Sequence, residues 1–385
     1  MLFPSLQAIL PDMLVMARQA RQVQADPGFI IGPIAAFFGF ILNLVFNLVY
    51  AITPSNSLGF AIILLTIIAM VIMLPLGIKS QRSMTKMQQL NPEVDKIKAK
   101  YGGTKDPELT KKMNAEIQGL YGKHKVNPLG GCLPMLIQMP LFFALLYIMQ
   151  QSFLYVGTLD RLYANLAETI QSYPYYLDMM RPIARPYIPD GWHNNGMEIM
   201  TLIQGVVNAE GAYIVAPMSY TDAVAQVGGN YINLTNPDHL ARVLNRLTAE
   251  DWGRIFTQMP GRYADPLRDL YTHKNRIEVF FGLPLLENSG MSWPGVIIPF
   301  FTVLTTVGTS WLSQLVNKPK DDKAKTQQTI MMVVMPLFMG FITITMPAGV
   351  GLYWIFSNLF RLIQQVFMNA QQGIKFRLPF TKAEA

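Results

Sequence analysis

The chain has 385 residues, a formal net charge of +7 and a mean hydropathy of +0.26, with 14% charged residues against 51% hydrophobic ones. That balance is too apolar for an average soluble domain, and the apolar residues fall in long blocks, so the composition points to an integral membrane protein. A single cysteine, Cys132, excludes intramolecular disulfides and reads as packing.

In chain order, residues 1–27 lack a charged n-region and an A-x-A-like site, and no cysteine there offers lipid attachment, so a cleaved signal is not expected. Residues 29–52 form an apolar block in which Asn43 and Asn47, one turn apart, share a helix face. The pattern suits a helix lying in the membrane interface at least as well as a crossing one, and the interfacial reading is preferred for 29–55. Charge-free blocks at 58–78, 129–159, 288–317 and 326–360 are each long enough to cross a hydrocarbon core of about 30 Å. Met346-Pro347-Ala348-Gly349 divides the last into two spans around a tight turn. The expected fold is an all-α membrane protein with five core spans at 56–78, 129–156, 291–317, 327–346 and 349–370.

Between the first two spans, residues 79–125 carry 11 Lys/Arg against 5 Asp/Glu, whereas 160–287 carry 10 against 14. The positive-inside rule therefore puts 79–128, the loop 318–326 and the tail 371–385 in the cytoplasm, with 157–290 and the Met346 turn outside. Within 79–128, Asn91-Pro92-Glu93 and Asp106-Pro107-Glu108 are helix starts, with Asn91 and Asp106 as capping side chains, proline in the first turn and an acid at the positive dipole end. Gly102-Gly103 separates them, which predicts a helical hairpin over 92–101 and 107–124. Lys96, Lys98, Lys100, Lys111 and Lys112 are its candidate contacts, although the same charges suit a solvated loop. Outside, Asn236-Pro237-Asp238 and Thr248-Ala249-Glu250-Asp251 predict helix starts, and Gly228-Gly229-Asn230 and Pro260-Gly261 predict turns, in a mainly helical insertion.

Chemistry has little to stand on. The four histidines, at 124, 193, 239 and 273, lie outside the expected spans and lack metal-ligand spacing, and no Asp or Glu occupies a span. With no phosphate-binding or dinucleotide fingerprint either, we expect no catalytic residue, no metal, no cofactor and no small-molecule substrate. Arg361 lies 13 residues past Ala348, about 20 Å from the external end of the last span. It either snorkels to the inner headgroups or supplies a cation to a groove open to the cytoplasm. Thr66, Gln138, Ser310, Gln314, Thr343, Thr345, Ser357 and Asn358 are uncharged polar residues within spans. Each singly suits helix-helix hydrogen bonding, and together they suffice for a shallow hydrated groove.

The run Asn127-Pro128-Leu129-Gly130-Gly131-Cys132-Leu133-Pro134-Met135-Leu136-Ile137-Gln138-Met139-Pro140 resembles the signature of the YidC membrane-protein insertases, bacterial relatives of the mitochondrial and chloroplast insertases. The likeness extends to Met73-Leu74-Pro75-Leu76, to 84–92, to Gln327-Gln328 with Met335-Pro336 and to Met346-Pro347-Ala348-Gly349. It also includes Leu352-Tyr353-Trp354, Ser357-Asn358-Leu359 and Gln364-Gln365, covering 30–155 and 277–370. The resemblance implies a non-enzymatic insertase and chaperone whose hydrated groove receives the polar part of a nascent membrane segment. It further implies nascent membrane proteins, the Sec translocon, ribosomes and membrane lipids as partners, in a bacterial plasma membrane. The groove residues it suggests are Thr66, Met70, Gln138, Ser310, Gln314, Tyr353, Trp354, Ser357 and Arg361. Two features depart from the family pattern. Position 70, where relatives usually carry a groove arginine, is methionine, so Arg361 is the candidate to supply the cation from the fifth span. The external insertion follows the second core span, where five-span relatives have a short connection, and its role is not readable. A polytopic transporter or channel, and an envelope-complex scaffold acting through the insertion, are the alternative functions.

Overall fold

The computed structural model describes residues 28–102, 106–124, 126, 133–188, 206–207, 213–215, 232–316 and 329–371. The expected 318–326 loop, the 371–385 tail beyond Gln371, the Gly228 turn, Cys132 and the start of the 127–140 run lie outside these residues. The protein is mostly helical. Helix α1 is Gly28–Ile52, α2 is Ser57–Gln89, α3 is Asn91–Lys100 and α4 is Pro107–Lys123. After these come α5 (Leu133–Gln150), the short α6 (Ser152–Tyr155), α7 (Gly157–Gln171) and α8 (Tyr176–Ala184). A two-stranded pair, β1 (Val206–Val207) with β2 (Tyr213–Val215), precedes α9 (Pro237–Leu244), α10 (Ala249–Gln258) and α11 (Gly261–Glu278). A second pair, β3 (Val279–Phe280) with β4 (Leu283–Pro284), leads into α12 (Ile297–Val316). A π-helical turn, Ile330–Val334, continues into α13 (Met335–Ile344), and α14 (Ala348–Gln371) follows.

Among the described residues, two helices are long and apolar enough to cross a membrane, Phe29–Ile52 and Ser57–Ser83, and shorter apolar helices lie at Gln138–Gln150, Ile297–Leu312 and Met332–Ile344. Pairs of contacts fix how the apolar helices run. A Cβ on Gly349 would meet Ile62, and one on Gly77 would meet Gln364, so α2 and α14 lie alongside and point the same way. Gly351 faces Ile298 and Gly308 faces Leu362, so α12 is parallel to them too. Helix α5 runs opposite, with Met149 beside Gly349 and Gln138 beside Arg361. Glycine at 351 is required by proximity, since a Cβ there would stand 2.1 Å from Ile298 Cγ2.

The predicted starts differ in detail. Asp106 caps α4, its carboxylate accepting from Glu108 N at 2.8 Å. Asn91 does not cap α3. Helix α2 continues through Lys79 and Arg82 to Gln89, so only Leu90 separates the two helices, and Asn91 is already the first helical residue of α3. Asn236 accepts from Asp238 N and His239 N, and Thr248 with Asp251 closes a capping box, so both of these starts form as the sequence predicts.

Helices α7 to α11 make a domain whose core, including Tyr163, Leu166, Ile170, Leu240, Leu244, Trp252, Ile255 and Leu267, is continuous with that of the apolar bundle. It is tied down by backbone. Residues 285–290 run antiparallel to the turn before α14, with Gly349 N to Leu285 O at 2.8 Å, Ala348 N to Glu287 O at 2.9 Å and Ser289 N to Met346 O at 3.0 Å. Asn43 Oδ1 accepts from Gly157 N at 3.2 Å and Asn47 Oδ1 from Thr158 Oγ1 at 3.4 Å, so the shared face of α1 serves the first turn of α7.

Candidate polar site between the apolar helices

The register of α2 against α14, Ile62 to Gly349 and Gly77 to Gln364, sets Thr66 level with Tyr353 and Met70 level with Ser357. Arg361 stands one turn further along, level with Leu74. Counted from Ala348 on one helix and from Gln150 on the antiparallel one, Arg361 and Gln138 both lie about 18 to 20 Å from the ends that meet near Gly349. They also bond. Arg361 Nη2 donates to Gln138 Oε1 at 2.7 Å, and Gln138 Nε2 donates to the Tyr353 hydroxyl. Ser357 Oγ donates to the Tyr353 carbonyl at 2.8 Å. Tyr353 is buried, whereas Gln138 and Arg361 are half-buried.

Three of the nine sequence-selected groove residues thus share one network. Ser357 joins it through its own helix, and Trp354 packs edge-on to Phe142 of α5, with ring centroids 5.4 Å apart. The other residues stand apart. Thr66 is buried and returns its hydroxyl to Ile62 O at 2.7 Å, and Met70 is buried at 4% exposure, so neither offers a free polar group. Ser310 is half-buried on α12, and the side chain of Gln314 lies outside the described residues.

Sequence reasoning passed over a second polar cluster. Asn358 Nδ2 donates to Thr306 Oγ1 at 3.0 Å and to Thr305 Oγ1 at 3.3 Å, joining α14 to α12. Its signal was the spacing of Thr302, Thr305, Thr306, Thr309 and Ser310, which places five hydroxyls on one stripe of an otherwise apolar helix. Most of these hydroxyls bond to carbonyls one turn back, so the stripe is largely self-satisfied.

The hairpin lysines are exposed, but they are not equivalent. Lys100 Nζ lies 3.0 Å from Glu116, which also accepts from Tyr101, so this lysine staples α3 to α4. Its hydrogen bond to Glu116, then the carboxylate charge, raises its pKa. Lys96, Lys111 and Lys112 face solvent.

Residues 49–217 and 252–375 match the family described as 60Kd inner membrane protein. A curated relative named membrane protein insertase YidC, from Anaeromyxobacter dehalogenans, is 45% identical over 122 residues, which are 31% of this chain and 22% of that protein. One of the same name from Syntrophobacter fumaroxidans is 36% identical over 199 residues, 51% of this chain and 31% of its own length. A third, from Fusobacterium nucleatum, is 39% identical over 122 residues, 32% of this chain and 54% of its own. The matched stretches therefore span between about a fifth and about a half of these relatives.

Proposed function

Because the chain belongs to the 60Kd inner membrane protein family, that of the YidC membrane protein insertases, we propose that it inserts nascent membrane proteins into the bacterial inner membrane and helps them fold. The core spans are α2, α5, α12, the 330–344 helix and α14, with α1 as the interfacial helix. The α3–α4 hairpin and the chain end after α14 face the cytoplasm, and α7 to α11 face outward. The basic 79–125 segment and the alternating directions of the apolar helices support that orientation.

The observation that carries the mechanism is the bond from Arg361 to Gln138. A snorkelling arginine sends its guanidinium past the helix end, whereas this one is engaged by a side-chain amide inside the helix pack. A half-buried cation held at membrane depth by a neutral partner keeps its charge available to an incoming acid. We assign Arg361 the role of attracting the acidic extramembrane part of a substrate, which position 70, a buried methionine, cannot perform. Gln138 and Tyr353 hold the guanidinium in place. The substrate's apolar segment then passes from this polar site into lipid beside α12 and α14. Exposed Lys96, Lys98, Lys111 and Lys112 are the hairpin's contacts for the substrate, the ribosome or the Sec translocon.

The test is protease protection of a small single-span protein with an acidic external tail, offered to liposomes that contain only this chain. Protection above that in empty liposomes, lost in Arg361→Ala, is the expected result. If Arg361→Ala inserts the acidic-tailed substrate as well as the parent while Gln138 or Tyr353 substitutions impair it, the role assigned to Arg361 is wrong.

A further inference from the structure

The hairpin that follows α11 carries a side chain that packing does not explain. Strands β3 and β4 pair Phe280 with Leu283 and leave Phe281 and Gly282 as a two-residue turn, with φ of 48° and 87°. Positive φ at both positions makes the turn that asparagine-glycine or aspartate-glycine normally fills, and a bulky residue in the first of them is strained. The turn is nonetheless held in place. Asn56 Oδ1 accepts from Phe281 N at 2.8 Å and Asn56 N donates to Arg276 O at 2.6 Å, which fixes the tip against the loop between α1 and α2. A strained residue that its neighbours over-determine points to a use.

Of the two adjacent rings, only Phe280 is packed. It lies over Gly59 of α2, where a Cβ would stand 2.0 Å from the ring, whereas Phe281 is 73% exposed. The Phe281 ring meets Phe60 edge-on, with centroids 6.2 Å apart. Phe60 begins a face of α2 that continues through Leu64, Ile67 and Val71, all three exposed. No charged residue occurs in 52–60 or in 279–286. The bare ring therefore extends the exposed apolar stripe of α2 past its first turn and onto the hairpin.

We propose that Phe281 is a membrane anchor, its ring entering the outer leaflet at the boundary between headgroups and acyl chains, beside the first turn of α2. The inference rests on the reading of α2 as a span whose Ser57 end lies outside. Lipid is the occupant because the ring continues a face that a span presents to acyl chains, and because phenyl and indole rings on a surface segment seat at that boundary. Since α11 leads directly into β3, the anchor sets the depth of the α7–α11 domain on the bilayer.

The experiment places an indole at the tip. F281W and the parent, both as full chains in liposomes of phosphatidylethanolamine and phosphatidylglycerol, share the five native tryptophans, so the difference in their emission isolates residue 281. The exposed site accommodates the larger ring, and an unfolding midpoint in detergent equal to the parent's checks the fold. Brominated acyl chains should quench the added indole severalfold more strongly than aqueous acrylamide does. Tyr175 supplies the comparison. It is exposed too, but through Tyr173 it neighbours Tyr263, near the start of α11 and about 23 Å along that helix from Glu278. Y175W should show the reverse preference. Strong quenching of F281W by acrylamide with little by brominated lipid would overturn the anchor. Resistance to both quenchers would show that protein covers the ring, a second copy or a partner, and would overturn the lipid assignment. Equal lipid quenching at positions 175 and 281 would overturn the hairpin as the point of contact. Depth and not insertion is read, so failure here and failure of the insertase reading are separable.

Discussion

Arg361 and Gln138 are 223 positions apart in the chain and 2.7 Å apart in space, on helices that run in opposite directions. Because the Gln138 amide also donates to the Tyr353 hydroxyl, one side chain of α5 restrains two groups that stand two turns apart on α14. The charge at position 138 therefore decides whether Arg361 presents a free cation or a neutralised one.

Gln138→Glu would turn the hydrogen bond into an ion pair and keep the restraint. Its unfolding midpoint in detergent should match the parent's, while insertion of an acidic-tailed substrate falls severalfold and that of a neutral-tailed one does not. Gln138→Leu should instead lower stability, since it removes the partner of the guanidinium and of the Tyr353 hydroxyl, at a cost of about 2 to 3 kcal/mol. If Gln138→Glu inserts acidic tails at the parental rate, the Arg361 charge is not what attracts them.

What could be read in advance was whatever depends on local chemistry. The Asp106, Asn236 and Thr248 caps form as their spacing predicts, because each needs only neighbouring backbone N–H groups. Asn91 failed as a cap because the preceding helix did not stop where its apolar block did, and a basic, polar stretch continued it to Gln89. In the polar site, Gln138, Tyr353 and Arg361 were each chosen from sequence, but their bonds depend on the register between antiparallel helices, which no local pattern encodes. The Thr305 and Thr306 link to Asn358 was missed for the same reason, and because threonine in an apolar helix normally bonds its own carbonyls. The mutual seat of Gly351 and Ile298 leaves no mark in composition at all.

That seat can be tested by a double substitution. Gly351→Ala would drive a Cβ to 2.1 Å from Ile298 Cγ2 and separate α14 from α12, costing about 1 to 3 kcal/mol. Ile298→Ala removes the colliding methyl at the cost of a cavity. The pair together should be more stable than the sum of the single losses predicts, as measured by unfolding midpoints in detergent. Strict additivity would mean that the two helices do not close-pack at this point.

A buried ion pair within α11 is tied to α7 through Tyr163. Lys274 Nζ lies 2.9 Å from Glu278 Oε2, and the buried Tyr163 hydroxyl donates to Glu278 Oε1 at 2.8 Å. Lys274→Met should cost about 3 to 5 kcal/mol, because it strands a carboxylate that is 2% exposed. Lys274→Met with Glu278→Leu should recover much of that loss, and Tyr163→Phe alone should cost about 1 kcal/mol. Proteolysis of the α7–α11 domain under mild heating would rank these variants.

The α7–α11 domain should also weaken in acid through His239. Its Nδ1 accepts from Asn233 N at 3.0 Å, an interaction open only to the neutral ring. Burial, followed by the charge of Arg242, lowers its pKa from 6.5 to about 4. In the folded chain the ring therefore stays neutral down to about pH 4, whereas in the unfolded chain it takes up a proton near pH 6.5. Between those values the unfolded state binds more protons, so stability is intact above pH 6.5 and declines as pH falls toward 4. The loss should reach about 1 to 2 kcal/mol, with the full linkage value reduced for solvent screening of a partly exposed ring. Glu287 works in the other direction, since burial raises its carboxyl pKa and protonation relieves a buried charge. Comparison of His239→Asn with the parent isolates the imidazole, because both proteins share Glu287. The unfolding midpoint of the parent should drop more steeply from pH 6.5 to 4 than that of His239→Asn, and parallel curves would show that folding does not lower the His239 pKa.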